Sequence, residues 1–329
     1  MKLRAFVTGG HGFVGSHLVE RLLKENFDVT CLIKPSSNLK WINTLPLKYF
    51  YGDLRDSESL KKISQDFDYV FHVAGLIQAK SEEEFFSVNE KGTLHLINAC
   101  KSTQKNLKRF ILISSIAASG PAAALKPRGE EDVENPVSTY GKSKLAGEKA
   151  LKENAGTIAY TILRPPAIYG PRDRGIFFFF EAIKKLKGLP IFKPKNRYYS
   201  LIHVHDLVDA IYKSAISENA ANQTFNIVNE KHYPLEEIVQ KISFSLKTKP
   251  RVYYIPRPFV YGASFISDII TKLTKKAFHF NSMKMPDLEA QYWIFSAEKA
   301  KKELGWSNNI PLEKGLAETT HWYQKLGWL

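Results

Sequence analysis

Cysteine is almost absent from this 329-residue sequence, which contains only Cys31 and Cys100. Cys31 falls in a predicted strand and Cys100 in a predicted helix, so we expect no disulfide framework and a reducing compartment. Long apolar runs are also missing, since no stretch reaches the roughly 18 apolar residues that a membrane-spanning helix needs. The N-terminus runs straight into a strand, without the charged, apolar and small-residue regions of a signal peptide. Together these absences predict a cytoplasmic protein.

Acidic residues are fewer than basic ones: 33 Asp and Glu stand against 47 Lys and Arg, a formal net charge of 47 − 33 = +14. A well-solvated basic surface accounts for this excess, and attraction to anionic ligands or an anionic membrane face is the alternative. A nucleic-acid partner is not expected, because no nucleic-acid-binding module is recognisable. His72, His203 and His205 lack the spacing of metal ligands on a helix, so no metal site is predicted.

The first half of the sequence alternates short apolar runs with segments of helical periodicity. The predicted strands are residues 4–8, 29–33, 49–52, 69–73, 110–114 and 159–163. The predicted helices are residues 14–24, 57–64, 82–101 and 140–154. Because alternating strands and helices form βαβ units, this pattern predicts an α/β fold with a Rossmann doubly wound parallel sheet.

The character of the chain changes after Pro165, where prolines and aromatic residues become frequent. Residues 200–204, 206–217 and 224–228 predict a return to strand, helix and strand. We therefore predict a dinucleotide-binding domain of residues 1–170 plus about 200–229. A smaller, mostly helical substrate-binding domain of about 171–199 plus 230–329 would cap the carboxyl edge of the sheet, where open α/β sheets bind ligands.

A glycine-rich turn follows the first strand, with Gly9, Gly12 and Gly15 spaced three apart. In this context Gly9 permits a sharp turn, Gly12 lets a pyrophosphate approach the backbone, and Gly15 lets the helix pack closely on the strand. The N-terminus of the helix adds unpaired N–H groups and a positive dipole. The turn therefore predicts a dinucleotide site.

The end of the second strand bears on which dinucleotide is bound. An acidic residue at this place accepts hydrogen bonds from a free ribose 2′-hydroxyl and repels a 2′-phosphate. The sequence has no carboxylate here and instead carries Lys34, so NADP(H) is favoured over NAD(H). Asp53, after the third strand, is expected to accept a hydrogen bond from the adenine amino group.

Tyr140 and Lys144 lie four residues apart in a predicted helix and therefore share one face. A tyrosine beside a lysine can run acid–base chemistry on a hydroxyl, and together with the dinucleotide turn this predicts hydride transfer. With these motifs the sequence resembles the extended short-chain dehydrogenases/reductases, the NAD-dependent epimerase/dehydratase family. The matching segments, in order, are Thr8-Gly-Gly-x-Gly-x-x-Gly15, Gly52-Asp-Leu54, His72-Val-Ala-Gly75, Asn89-x-x-Gly-Thr93, Ser114-Ser115, Tyr140-x-x-x-Lys144 and Arg164-Pro165.

The resemblance implies roles for the matching residues. Tyr140 would be the general acid/base, and Lys144 together with the oxidised nicotinamide would lower the pKa of its phenol. Lys144 would also hold the nicotinamide ribose, Ser115 would hydrogen-bond the substrate oxygen, and Ser114 would lie near the nicotinamide. The further cofactor-binding positions that the resemblance implies are Phe13, Val14, Leu54, Ala74, Gly75 and Pro165.

Departures from the family pattern bear on the reaction. The family's dehydratases carry a carboxylate directly after the catalytic hydroxyl, and here Ile116 follows Ser115, which disfavours elimination. Sugar-nucleotide enzymes often carry Asn where Ala167 stands and Arg where Tyr199 stands, which weakens that assignment. The segment 164–173 looks more like the branch of 3β-hydroxysteroid dehydrogenases and dihydroflavonol reductases.

The leading hypothesis is an NAD(P)-dependent oxidoreductase that interconverts a secondary alcohol and a ketone on a hydrophobic or polycyclic small molecule. The first alternative is a nucleotide-sugar epimerase or reductase with tightly bound NAD. The second is a non-catalytic NAD(P)-sensing or assembly protein.

Three features of the chain bear on its partners. Aromatic residues such as those at 177–180 suit either an apolar substrate lining or simple packing. Residues 259–280 combine apolar positions with Lys272, Lys275 and Lys276, which is typical of an interfacial amphipathic helix, a lid or a packed helix. The resemblance also implies a homodimer that forms through helices 82–101 and 140–154.

Overall fold

The computed structural model describes residues 2–192, 196–249, 252–274 and 282–329. Its strands are β1 (Arg4–Thr8), β2 (Asp28–Ile33), β3 (Lys48–Tyr51), β4 (Tyr69–His72), β5 (Arg109–Ile113), β6 (Tyr160–Arg164), β7 (Ala167–Tyr169), β8 (Leu189–Phe192), β9 (Tyr198–Tyr199), β10 (Leu201–His203), β11 (Gln223–Asn226), β12 (Tyr233–Pro234), β13 (Val252–Ile255) and β14 (Tyr292–Trp293). Its α-helices are α1 (Phe13–Lys24), α2 (Ser57–Leu60), α3 (Glu82–Asn89), α4 (Lys91–Thr103), α5 (Ile116–Ser119), α6 (Thr139–Asn154), α7 (Phe177–Leu186), α8 (Val204–Ile216), α9 (Leu235–Ser245), α10 (Arg257–Thr274), α11 (Met285–Glu289), α12 (Glu298–Leu304) and α13 (Leu312–Lys325).

Seven strands form one parallel sheet in the order β11-β6-β5-β4-β1-β2-β3. The chain starts at β1, builds outward to β3, and returns across β1 to add β4 and the strands beyond it. The strand order reverses between β1 and β4, so a crevice opens at their carboxyl ends. This arrangement confirms the predicted α/β fold with a doubly wound parallel sheet.

Helices cover both faces of the sheet, which explains why its central strands are mostly apolar. On one face, α1 and α8 pack against each other and contribute Leu18 and Ile211 to the core. On the other face, α4 and α6 contact each other and contribute Leu96 and Leu151. Every residue of β4 and β5 is buried, because parallel strands covered on both faces have no solvent side.

The predicted helix 82–101 is wrong in one respect, because it is two helices that meet at Glu90. Asn89 lies at the break, and its amide donates to the Leu76 carbonyl at 3.0 Å and to the Ser143 hydroxyl at 2.9 Å. Its side-chain oxygen also accepts from the Leu76 N–H at 2.8 Å. The junction thus ties the loop after β4 to α6, contacts that local periodicity does not encode.

The predicted strand at 200–204 forms, but it does not join the main sheet. Residues Leu201–His203 form β10, which pairs only with β7 in a separate two-stranded sheet. The division into two domains stays a prediction. Within the core, Phe295, Ala300 and Trp306 from the C-terminal region pack in the same hydrophobic cluster as α1 and α8.

Cys31 and Cys100 are both buried and unbridged, as the sequence predicts. Burial raises the pKa of each thiol to about 12, so both behave as small apolar side chains. No helix among the described residues has the length and apolar character to cross a membrane.

Candidate active site

The glycine-rich turn joins β1 to α1 at the crevice. Gly9 has a positive φ of 69°, and a Cβ there would lie 2.8 Å from the Ala74 nitrogen. A Cβ on Gly15 would lie 2.1 Å from the Gly9 carbonyl oxygen. A side chain is therefore excluded at both positions, as predicted. At Gly9 the positive φ and the contact with the segment after β4 exclude it, and at Gly15 the close approach of α1 to the turn excludes it.

The local chemistry of this turn fits a dinucleotide phosphate. Gly12 is the N-cap of α1 and makes no side-chain capping bond, so no side chain of the described residues competes at this cap for an anion. The Nδ1 atom of His11, in the same turn, is buried and has no hydrogen-bond partner among the described residues. Phe13 and Val14 form the first turn of α1 and are half-buried.

The carboxyl end of β4 brings the turn close to α6. Ala74 donates its N–H to the Thr8 hydroxyl at 3.2 Å, which holds the ends of β1 and β4 together. A Cβ on Gly75 would lie 3.3 Å from Lys144 Nζ. The glycine-rich turn, residues 74–75 and Lys144 thus meet at one edge of the sheet. The structure therefore brings together three motifs that are far apart in the sequence.

Helix α6 presents Tyr140 and Lys144 to this edge. It begins after Ser138, whose hydroxyl accepts from the Gly141 N–H at 3.1 Å. Because this cap starts the helix just before Tyr140, the two residues lie one turn apart on one side. Lys144 Nζ donates to the Ile113 carbonyl at 2.7 Å, at the end of β5. The pair is therefore anchored where β5 ends and the Ser114–Ser115 segment begins.

Burial within the protein shifts the pKa of Tyr140 upward, and the lowering expected from Lys144 with an oxidised nicotinamide stays a prediction. Burial raises the pKa of this phenol to about 12, a hydrogen bond with Ser115 opposes the rise, and the Asp287 carboxylate adds to it. Without the positive charge of an oxidised nicotinamide, Tyr140 is thus a protonated acid near neutral pH, ready to donate a proton.

Lys144 itself is only 7% exposed. Burial lowers the pKa of its ammonium to about 8, with the Glu148 carboxylate acting against the shift. A lysine with this pKa is mostly charged at neutral pH and loses its charge in mildly alkaline solution.

Ser115 and Ser114 point to different partners. Ser115 caps α5 by accepting from the Ala117 N–H at 3.1 Å and also bonds Tyr140, so it lies where a substrate oxygen would meet both hydroxyls. Ser114 instead donates to Glu148 Oε1 at 2.5 Å. Its hydroxyl is engaged inside the protein, and its predicted contact with the cofactor stays a prediction.

A buried ion pair below the site was missed by the sequence analysis. Arg164 bonds Glu148 through Nε at 2.9 Å and Nη2 at 2.6 Å, and it reaches Glu134 at 2.9 Å. Arg164 is 1% exposed and Glu148 is fully buried. Glu148 lies four residues after Lys144, so the face of α6 that carries Tyr140 continues into this pair. That repeated spacing was the available signal.

A cationic cluster lies at the ends of β2 and β3. Lys34 lies 3.3 Å from Asp53, and Arg55 bonds the same carboxylate at 2.8 Å. The Arg55 hydrogen bond is the main reason that the pKa of Asp53 lies well below its usual range. The sequence analysis missed Arg55, although it stands two residues after Asp53. Two cations against one carboxylate leave this corner positive.

The remaining predicted cofactor positions are close to the same edge. Leu54 is buried, and its carbonyl accepts from His95 Nδ1 at 2.8 Å. The Pro165 carbonyl accepts from the Ile116 N–H at 3.0 Å, directly after Ser115. Their contacts with a cofactor stay predictions.

A segment of the C-terminal region lies over α6. The short 3₁₀ turn Ser282–Lys284 contacts α6. Asp287 forms a hydrogen bond with Ser138, and its Oδ1 atom is buried without a partner among the described residues. Burial raises the pKa of Asp287 to about 6, and Lys284 opposes the rise. This carboxyl next to Tyr140 could not be found from local sequence.

The aromatic residues at 177–180 differ in burial and in packing. Phe180 is fully buried and lies 5.2 Å from Tyr323, and Phe177 packs on Tyr323 and Trp328. These rings stabilise the C-terminal helices, as the simple packing alternative predicts. Phe178, in contrast, is 55% exposed.

One histidine cluster bears on the prediction of no metal site. Ligand atoms of His203, His205 and Glu318 lie within 4.8 Å of one another. His203 Nδ1, however, accepts from the His205 N–H at 3.4 Å, which places the ring proton on Nε2 in the neutral tautomer. The atom that faces Glu318 is then a donor and not a lone pair, so the cluster fits a metal poorly.

The chain is similar to known proteins in sequence and in fold. A sequence model of the NAD dependent epimerase/dehydratase family matches residues 5–228. A ceramide reductase of Caulobacter vibrioides is 28% identical over 98% of this chain and 95% of its own length. A sterol-4-alpha-carboxylate 3-dehydrogenase (decarboxylating) of Mus musculus is 25% identical over 97% of this chain and 91% of its own. The crystal structure of a UDP-glucose 4-epimerase with UDP-glucose from Thermotoga maritima superposes with a TM-score of 0.82 at 23% identity, covering 98% of this chain and 99% of that one.

Proposed function

Because the chain belongs to the NAD dependent epimerase/dehydratase family and is therefore an enzyme, we propose that it reduces a ketone to a secondary alcohol on a hydrophobic small molecule. The observation that carries the proposal is the meeting of Ser115, Tyr140 and Lys144 beside the glycine-rich turn. Retention of all three residues also argues against a non-catalytic sensor.

The chain's own residues account for the proton side of the reaction. A nicotinamide bound in the crevice would supply the hydride. Ser115 hydrogen-bonds the substrate carbonyl oxygen, and Tyr140 donates its phenolic proton to that oxygen as it becomes a hydroxyl. The pKa of Tyr140, raised to about 12 by burial, keeps this proton in place near neutral pH, so the phenol can donate it to the substrate oxygen.

The substrate class rests on three observations. Ile116, which follows Ser115, is buried and carries no carboxylate, so the chain lacks the acid that elimination requires at this place. The similar ceramide reductase and sterol dehydrogenase are named for lipid substrates. An exposed apolar helix, described below, also suits a lipid. We propose a lipid ketone, with either a ceramide-like amide or a sterol skeleton.

The test is an assay of nicotinamide oxidation with three substrates: an N-acyl long-chain amino ketone, a 3-ketosteroid and UDP-glucose. The proposal expects turnover of one of the two lipids and none of the sugar nucleotide. Conversion of UDP-glucose to its 4-epimer, with NAD retained through purification, would overturn it in favour of the epimerase. That alternative is kept because a UDP-glucose 4-epimerase shares the fold over nearly the whole chain.

We further propose NADP(H) as the preferred cofactor, since Lys34 and Arg55 place two cations beside Asp53 at the ends of β2 and β3. Replacing Lys34 and Arg55 together by alanine should lower kcat/KM for NADPH by about tenfold or more, because each charge-assisted bond to a 2′-phosphate is lost. The value for NADH should change little. Steady-state kinetics with both cofactors measures kcat/KM for NADPH and for NADH in the wild type and in the variant.

The matched control for this prediction is Lys61→Ala, which removes an exposed lysine directly after α2. This variant should leave both values unchanged. A wild-type enzyme that prefers NADH, or an equal loss with both cofactors, contradicts the assignment. A homodimer that forms through α3, α4 and α6 also remains a proposal, and sedimentation analysis tests it.

A further inference from the structure

Helix α10 turns its apolar side chains toward solvent. Four large apolar residues on this helix are exposed by 72%, 66%, 58% and 39%. They are Phe259, Phe265, Ile266 and Ile270. Three of them, at positions 259, 266 and 270, lie on one face at helical spacing, and Phe265 lies beside that face. A cluster of this kind on a helix at the surface marks an interaction site.

The inward side of α10 is narrow and largely polar. Val260 and Ser264 are the residues of this helix that the structure describes as buried. Asp268, on the same side, accepts from the Ser282 N–H at 3.2 Å. A surface helix ordinarily buries its apolar face and exposes its polar face. Among the side chains of α10 that the structure describes, this order is reversed, so packing with other described residues does not explain the exposed apolar ones.

The sequence around α10 is strongly basic. Between positions 247 and 284 the only acidic residue is Asp268. The basic residues of the same span are Lys247, Lys249, Arg251, Arg257, Lys272, Lys275, Lys276 and Lys284. Arg251, Lys275 and Lys276 lie outside the described residues. An apolar helix face within a basic segment matches the chemistry of a bilayer surface with anionic headgroups.

We propose that α10 is a membrane-docking helix that lies in the interfacial layer of an anionic bilayer. Phe259, Phe265, Ile266 and Ile270 insert among the acyl chains, and the exposed basic side chains of Lys247, Lys249 and Arg257 bind the headgroups. This deepens the proposed function, because a lipid ketone would reach the enzyme from that surface. A groove of about 300 Å³ runs beside the start of α10 and is lined by Arg257, Glu289 and the loop 121–123 that follows α5.

Sedimentation of the full-length protein with vesicles tests the docking. The wild-type protein should bind vesicles of phosphatidylcholine with phosphatidylglycerol, bind pure phosphatidylcholine more weakly, and release as salt rises. The double variant Phe265→Ser/Ile266→Ser should lower the partition coefficient by about tenfold or more, because two large apolar groups no longer insert. A wild-type protein that stays in solution with both vesicles overturns the proposal.

The matched control is Ile216→Ser at the end of α8, which removes a 48% exposed isoleucine from a helix outside the proposed docking surface. It should bind vesicles as the wild type does, and an equal loss of binding overturns the proposal. Sedimentation without lipid tests the rival occupant, a second copy of the chain. If the wild type is a dimer that the double variant splits, α10 is a subunit interface and the proposal is wrong.

The failure of this inference is distinguishable from failure of the proposed function. A short-chain ketone dispersed in water does not need delivery from a bilayer, so the double variant should reduce it at the wild-type rate. On vesicle-borne ketone the same variant should be slower. If both ketones are inert with the wild type while vesicle binding holds, the proposed reaction fails and the docking stands.

Discussion

Replacing Tyr140 by phenylalanine is expected to lower kcat by about 100- to 10,000-fold, the usual contribution of a positioned general acid. The phenylalanine ring fills the same space next to Phe85, so the fold and the crevice remain. The substrate oxygen then loses its proton donor. Ser115 cannot replace the phenol, because no acidic side chain among the described residues hydrogen-bonds the Ser115 hydroxyl and could resupply its proton. Steady-state kinetics with the ketone that the assay identifies gives the ratio.

A measurement of cofactor affinity distinguishes a loss of kcat at the chemical step from a general defect of the variant protein. The Kd for NADPH, measured by fluorescence, should be unchanged in the Tyr140→Phe variant, since the glycine-rich turn and Lys34 are intact. If the variant retains most of its turnover, Tyr140 is not the acid and the proposed function fails. If it loses cofactor affinity in parallel with kcat, the phenol has a binding role instead.

Lys144 adds a pH dependence to the same experiment. Its pKa is lowered by burial to about 8, so it is charged below that pH and neutral above it. The wild-type rate of reduction should therefore fall as pH rises through about 8, where the interaction of this ammonium with the cofactor ribose weakens. This fall in rate near pH 8 should be absent from a Lys144→Met variant, whose residual rate should be low at every pH.

The second large effect concerns stability. Replacing Glu148 by alanine is expected to lower the free energy of unfolding by about 3–5 kcal/mol, because it leaves the buried Arg164 guanidinium without its main counter-ion. Arg164 keeps only Glu134, which is partly exposed. The Ser114 hydroxyl loses its acceptor as well. Denaturant unfolding at neutral pH measures the difference.

Two control variants test whether the loss of unfolding free energy comes from the unpaired Arg164 charge. Glu153→Ala removes an exposed carboxylate from the same helix and should change the free energy of unfolding little. The double variant Glu148→Leu/Arg164→Met replaces both charges by apolar groups and should recover most of the stability, because no ion is left unpaired. Equal unfolding free energies for Glu148→Ala and wild type would show that the pair does not hold α6 on the sheet.

Much of the fold follows from local signals. The central strands are short apolar runs because both of their faces are covered, and such runs are visible without coordinates. Gly9 and Gly15 are also visible, since a positive φ and a close backbone contact each exclude a side chain. The spacing of Tyr140 and Lys144 places them on one helix face whatever surrounds the helix.

Other features depend on residues that are distant in the sequence. The break between α3 and α4 follows from the bonds of Asn89 to Leu76 and Ser143, and β10 pairs with β7 and not with the main sheet. The rise that burial causes in the pKa of the Tyr140 phenol could not be read from the sequence. Each depends on a neighbour that no local pattern identifies.

The sequence by itself determined the order of strands and helices, the glycine-rich turn and the shared helix face of Tyr140 and Lys144, because backbone sterics and helical spacing act over a few residues. The tertiary structure alone decided which carboxylates meet Arg164 and Tyr140, and which side of α10 faces outward. Burial and charge pairing depend on where the chain returns in space, and hydrophobic periodicity marks an apolar face without saying what covers it.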